Sequence, residues 1–174
     1  RTNVSLTVTD GNRTISNTST SGGNIGQADI LFLIDESGSM SDEISTVRSE
    51  LQAFANEVGG PGSDVQFGVV TFEGSVRTVQ PLTDNVTEVE NAIDSIVLTG
   101  GTEYNYDAVN DTAAGTQVSL RSDAGTVLID LTDEDSDTQP GTPSQGEIAD
   151  RLNATDTTYI AVSPDRTGTL EKKT

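Results

Sequence analysis

From residue 25 onward the chain alternates two kinds of hydrophobic spacing. Residues 28–34 form a near-continuous apolar run, the pattern of a strand covered on both faces in a parallel sheet. Met40, Ile44, Val47, Leu51, Phe54 and Val58 then recur every three or four positions and stop at Gly59-Gly60. That spacing predicts an amphipathic helix, with Ser41 as its N-cap and Asp42 and Glu43 matching the dipole of its first turn. Residues 65–72 and 76–82 read as a hairpin turning at Glu73-Gly74-Ser75. A helix carrying Val86, Val89, Ile93 and Ile96 follows, capped near Asp84. Gly100-Gly101 interrupts the chain, and 103–114 is a weaker, polar helix. Residues 126–132 are again a strand, entered from a turn at 122–125. Thr142-Pro143-Ser144-Gln145 carries a Thr-x-x-Gln capping box with Pro at the first helical position, ahead of Ile148, Ala149 and Leu152. Residues 159–162 supply a last strand. The order β-α-β-β-α-α-β-α-β predicts an α/β fold: a doubly wound, mostly parallel open sheet with helices on both faces.

The first residues follow a different rule. Val4, Leu6 and Val8 alternate with polar neighbours, Asp10-Gly11 supplies a turn, and 13–15 read as a second strand. Residues 16–24, rich in Ser, Thr, Gly and Asn, read as a linker. Residues 1–24 are therefore expected to be a β-hairpin segment of a flanking domain plus linker, with the α/β domain over 25–174.

Composition narrows the chemistry. The 174 residues contain no His and no Cys, which excludes Ser-His-Asp and Cys-His catalysis within this chain and any imidazole or thiolate metal site. A bound metal must be held by oxygen, which suits Mg²⁺, Ca²⁺ or Mn²⁺. With 28 acids against 9 bases the net charge is -19, so nucleic acid and anionic membranes are repelled. No apolar run is long enough to insert directly into a membrane. Lysine occurs only at Lys172 and Lys173, and the acid excess resembles proteins of extreme halophiles such as haloarchaea. An acidic extracellular module of an ordinary organism has the same arithmetic. Six Asn-x-Ser/Thr sequons, at Asn3, Asn12, Asn17, Asn85, Asn110 and Asn153, point to surface loops open to N-glycosylation and an extracellular location.

In a doubly wound sheet, ligands bind beyond the carboxyl ends of the strands. The first strand of the α/β region ends in Asp35-Glu36-Ser37-Gly38-Ser39-Met40, which gathers a carboxylate and two hydroxyls in one loop, with Gly38 letting the turn tighten. Helix capping alone also explains Ser and Asp there. Two further oxygen-bearing loops belong to the same rim, Gly100-Gly101-Thr102 and Leu131-Thr132-Asp133.

Together, Asp35-x-Ser37-x-Ser39, Thr102 and Asp133 resemble the metal-ion-dependent adhesion site of the von Willebrand factor type A domain family, over residues 25–163. The resemblance implies that Ser37, Ser39 and, depending on state, Thr102 coordinate Mg²⁺ (or Ca²⁺/Mn²⁺) directly, with Asp35 and Asp133 acting through water. The ion then accepts an Asp or Glu carboxylate from a partner protein. It implies a non-enzymatic adhesion module, or alternatively a structural subunit of a surface layer, pilus or filament binding neighbouring subunits. Phosphoryl enzymes fit less well. Aspartate phosphatases need a second Asp where Ser37 stands, and receiver domains need a rim Lys.

Several positions depart from the family pattern. Asp130 stands at a usually apolar position, and an edge location, an Arg partner and salt adaptation are all open. Glu134, Asp135 and Asp137 read as a solvated acidic loop or a second cation site. Tyr104 and Tyr106 are rim contacts for a ligand or helix packing. Glu36 and Glu103 either tune the site or are solvated. The family usually continues past 162 with a helix, an edge strand and a closing helix, so the domain is expected to be C-terminally incomplete.

Overall fold

The run at 30–34 has no polar break because it is the middle of a sheet. In the structure, a computed structural model that describes residues 5–10, 13–18, 27–59 and 62–162, these five side chains are at most 5% exposed. The strands are β1 (Ser5–Asp10), β2 (Arg13–Thr18), β3 (Ala28–Asp35), β4 (Val65–Phe72), β5 (Val76–Thr83), β6 (Gly125–Leu131) and β7 (Thr157–Val162). The helices are α1 (Ile44–Val58), α2 (Val86–Asp94), α3 (Asn105–Ala113) and α4 (Gln145–Ala154), with a 3₁₀ turn at Gly38–Ser41. Strands β5-β4-β3-β6-β7 form one sheet, parallel except for the β4–β5 hairpin. β1 and β2 pair antiparallel in a separate two-stranded sheet.

Strand alternation sends 30, 32 and 34 to one face and 31 and 33 to the other, and each face is covered. Phe32, Ile34, Phe67 and Val69 pack with Leu51 and Ala55 of α1 and with Val89 and Ile93 of α2. Phe32, Phe54 and Phe67 form an aromatic cluster with centroids 6.0–6.5 Å apart. On the opposite face Leu31, Leu33, Val70 and Leu128 meet Ala108 and Val109 of α3 and Ile148 of α4. The doubly wound α/β fold is as the pattern predicts.

Local boundaries differ in instructive ways. β2 runs to Thr18, so residues 16–18 pair as strand rather than linker. Ser41 does not cap α1; it closes the 3₁₀ turn, and α1 begins after Glu43. The cap of α2 expected near Asp84 is the adjacent Asn85, whose Oδ1 accepts from the Thr87 N–H at 3.1 Å. The capping box of α4 lies two residues later than Thr142, at Ser144 and Glu147, where a carboxylate replaces Gln at the positive end of the helix dipole. Four of the sequon asparagines lie in or at the start of regular elements. Asn17 lies in a strand and Asn110 and Asn153 lie in helices, while Asn85 is a helix cap. Asn3 and Asn12 lie outside the described residues, as does the chain beyond Val162 where further elements were expected.

Candidate functional site

Strand register assembles the rim. β3 and β6 are neighbours that cross over in opposite directions, the point of an open sheet where loops diverge and leave a crevice. Ile34 pairs with Leu131, so Asp35 and Thr132 leave the sheet side by side. The Thr132 hydroxyl donates to Asp35 Oδ2 at 2.7 Å, and the Ser37 N–H donates to Asp35 Oδ1 at 2.8 Å. Asp35 is thus fully buried and immobilised from both sides.

The chain then turns into the 3₁₀ segment. Ser37 occupies its N-cap position without making a side-chain cap bond, so its hydroxyl is not used in capping. Ser37 Oγ lies 2.8 Å from Ser39 Oγ, and Ser39 Oγ donates to Asp133 Oδ1 at 2.9 Å. Residues 94 apart in sequence therefore share one hydrogen-bonded row.

The loop bearing Thr102 meets the rim through backbone bonds of its earlier residues. The Thr99 N–H donates to the Glu36 carbonyl at 2.7 Å, and the Gly38 N–H to the Gly100 carbonyl at 3.4 Å. Gly100, rather than Gly38, is the position that demands glycine. Its φ is +66°, and a Cβ there would stand 1.7 Å from Glu73 Oε1. Thr102 itself is half-buried.

Of the two readings left open for Glu36 and Glu103, burial favours the one in which they belong to the site. Glu36 is 8% exposed and paired with Arg77 at 2.7 Å. Glu103 is 4% exposed. Burial, with Asp35, Glu134 and Asp137 nearby, pushes its carboxyl up to about 7. Glu134, Asp135 and Asp137 are exposed, as a solvated acidic loop should be, although Asp137 Oδ2 also accepts the Glu103 N–H at 3.3 Å. Burial likewise raises the Asp35 carboxyl above its ordinary range.

Asp130 is not at an edge, and among the described residues no Arg is paired with it. β6 is an interior strand, and Asp130 Oδ2 accepts from Asn105 Nδ2 at 2.5 Å and from the Tyr159 hydroxyl. Burial pushes its carboxyl up to about 6, against the lowering effect of those two bonds. Tyr106 is half-buried against the α3/α4 core, and its hydroxyl accepts from Gln145 Nε2 at 2.5 Å, which makes it a packing residue of the helix pair. Tyr104 is half-buried at the N-cap of α3.

Sequence reasoning passed over Thr132, Arg77, Glu73 and Asn105 as rim residues. Thr132 stood inside the quoted Leu-Thr-Asp string. The other three reach the rim through pairings that no local pattern encodes.

The donor set suits a hard cation. Octahedral Mg²⁺ bonds oxygen at about 2.0–2.1 Å, which puts adjacent donors roughly 2.9 Å apart, close to the Ser37–Ser39 separation of 2.8 Å. A coordinating hydroxyl keeps its proton, so Ser39 can bind through a lone pair while still donating to Asp133. Among the described residues no group of three or more acidic side chains is arranged to hold a metal, so an ion here depends on hydroxyls.

A doubly wound α/β domain with a hydroxyl-lined rim at the switch point is the class that this geometry defines. The von Willebrand factor type A domain family matches residues 29–172, and the chain belongs to that family. Domains of this family mediate protein–protein interactions and are often involved in adhesion or assembly. Proximal thread matrix protein 1 from the mussel byssus superposes with a TM-score of 0.66 at 24% identity, over 79% of this chain and 38% of that one. The vWF domain of the type V pili tip protein Mfa5 from Porphyromonas gingivalis gives 0.57 at 15% identity, over 66% of this chain and 40% of that one. The chain thus spans about two fifths of each solved structure. No curated protein sequence matches. No helix among the described residues is long and apolar enough to cross a membrane.

Proposed function

We propose that this domain is a non-enzymatic, divalent-cation-dependent protein-binding module acting outside the cell. Ser37, Ser39 and Thr102 would hold Mg²⁺, or Ca²⁺ or Mn²⁺, through neutral hydroxyls, with Asp35 and Asp133 behind them. The bound ion would supply a Lewis-acidic position that takes an Asp or Glu carboxylate from a partner protein. Asp35 orients the Ser37 loop through its bond to the Ser37 N–H, and Asp133 fixes the rotamer of Ser39. Glu36 is held by Arg77, which keeps one rim acid out of competition for the ion.

The observation that carries this reading is the contact of Ser37 Oγ, Ser39 Oγ and Asp133 Oδ1 across two strand ends. Its test is a calorimetric titration of Mg²⁺ and Ca²⁺ into chelator-treated protein, with and without Asp35→Ala, at matched salt. Heat in the parent and none in the variant is expected. Identical isotherms would remove the site from the account.

A second reading is a structural subunit of a surface layer, pilus or filament. It is favoured by the fold shared with a byssal thread matrix protein and a pilus tip protein. Assemblies that survive chelation and Asp133→Ala would favour scaffolding over metal-mediated capture.

A further inference from the structure

Helix α3 begins without the usual cap, because Tyr104 at its N-cap position makes no side-chain bond to the first turn. Its first residue turns inward instead. Asn105 is 5% exposed, and its Nδ2 donates to Asp130 Oδ2 at 2.5 Å. The same oxygen accepts the hydroxyl of Tyr159 on β7, while Asp130 Oδ1 has no hydrogen-bond partner among the described residues. A row of side chains therefore runs from the outermost described strand, through β6, to the residue three positions after Thr102.

Packing does not account for this row. Burying an amide and a carboxylate costs more than an apolar pair of similar volume, and no Arg or Lys among the described residues is ion-paired with Asp130. What such a network supplies is one defined geometry, since each donor must meet its acceptor. The rest of the 102–106 segment is held from the loop side. Asp137 bonds Glu103, Ser136 bonds the Tyr106 N–H at 3.1 Å, and the Glu73 carbonyl accepts the Tyr104 N–H at 3.4 Å. Asp137 is exposed and Ser136 and Glu73 are half-buried, so the Asn105–Asp130 bond is the anchor that reaches the sheet interior.

We propose that Asn105 is a positioning residue for the cation site: held by Asp130 and Tyr159, it ties the loop bearing Thr102 to the sheet and sets how that hydroxyl is presented. The inference rests on the cation reading above. It adds that β7, remote from the rim in sequence, is coupled to ion affinity.

The test is a double-mutant cycle read by Mg²⁺ calorimetry on the parent, Asn105→Ala, Thr102→Ala and the double variant, with melting in chelator measured alongside. Asn105→Ala is expected to weaken Mg²⁺ binding roughly tenfold, the scale of one lost buried bond to a charged group. In the Thr102→Ala background the same change should have no further effect. Unchanged affinity in Asn105→Ala, or a loss that simply adds to that of Thr102→Ala, would mark the residue as structural only. Unchanged affinity in Thr102→Ala would overturn the inference as well. If Asn105→Ala does not fold, Tyr159→Phe, on the outermost described strand with the residue 37% exposed, carries the same cycle. Absence of Mg²⁺ binding by the parent would reject the cation reading and the positioning role together, whereas binding by the parent and by Asn105→Ala alike would reject only the second.

Discussion

The two ends of the central sheet treat their most deeply buried carboxylates in opposite ways. At the amino end, Asp29 is fully buried on β3 and answered by Arg121, whose Nε and backbone N–H meet its two oxygens at 2.6 and 2.7 Å. Arg121 also binds Asp64 at 2.7 Å and the Ala28 carbonyl at 2.9 Å, so one guanidinium ties the starts of β3 and β4 to the loop before β6. At the carboxyl end Arg77 holds Glu36, but Asp35, Glu103 and Asp130 are buried more deeply than Glu36, and among the described residues no Arg or Lys is ion-paired with them. Neutral hydroxyls and amides face Asp35 and Asp130 instead, and these satisfy hydrogen bonds without cancelling charge. A compensated end serves the fold, whereas an uncompensated end, stable only in part by itself, is where a cation has something to gain.

The largest effect expected from this contrast is at the compensated end. Arg121→Ala should cost about 3–5 kcal/mol in urea unfolding, because it leaves Asp29 buried without a counter-charge, and should leave Mg²⁺ affinity unchanged in the folded protein. A loss below about 1 kcal/mol, the scale of a surface pair, would erase the distinction between the ends. Next comes the ion itself. Mg²⁺ at a hundred times its dissociation constant should stabilise the parent by about 2.7 kcal/mol and Asp133→Ala by far less, measured as the shift in urea midpoint.

Protonation offers a third, smaller handle at the uncompensated end. The Asp130 carboxyl is raised to about 6 in the folded protein from an ordinary 3.8, so the folded state binds the extra proton. Its contribution to stability is full below about pH 4 and is lost as pH rises through about 6. In chelator, the parent should lose on the order of 2 kcal/mol relative to Asp130→Asn between pH 4 and pH 8. Parallel pH profiles for the two proteins would show that Asp130 is not strained by its burial. The smallest change calibrates the scale away from both ends: Ser144→Ala removes one side of the α4 capping box and should cost about 1 kcal/mol at any Mg²⁺ concentration.

Much of the architecture could be read without coordinates because period and burial are locally coupled. The uninterrupted run at 30–34 matched an interior strand, and the three-and-four spacing from Met40 to Val58 matched one buried helix face. Helix starts were harder to place. Several Ser, Thr, Asn and Asp residues lie within two positions of each start, and the choice between Asp84 and Asn85, or Thr142 and Ser144, depends on where the preceding chain enters. The sequon pattern likewise did not show that Asn110 and Asn153 lie in helices, because a three-residue string carries no information on the helix around it.

The sequence by itself determined the order of elements, the oxygen-only chemistry and the identity of the rim loops, since each is written in residues close together along the chain. Tertiary structure decided what those loops do to one another. Only the β3–β6 register sets Thr132 against Asp35 and Ser39 against Asp133, and only the pairing of β7 with β6 gives Asp130 a Tyr partner in place of the base its charge would ordinarily require. Such contacts join residues tens of positions apart, where no periodicity reaches, and they are selected by the packing of the whole sheet.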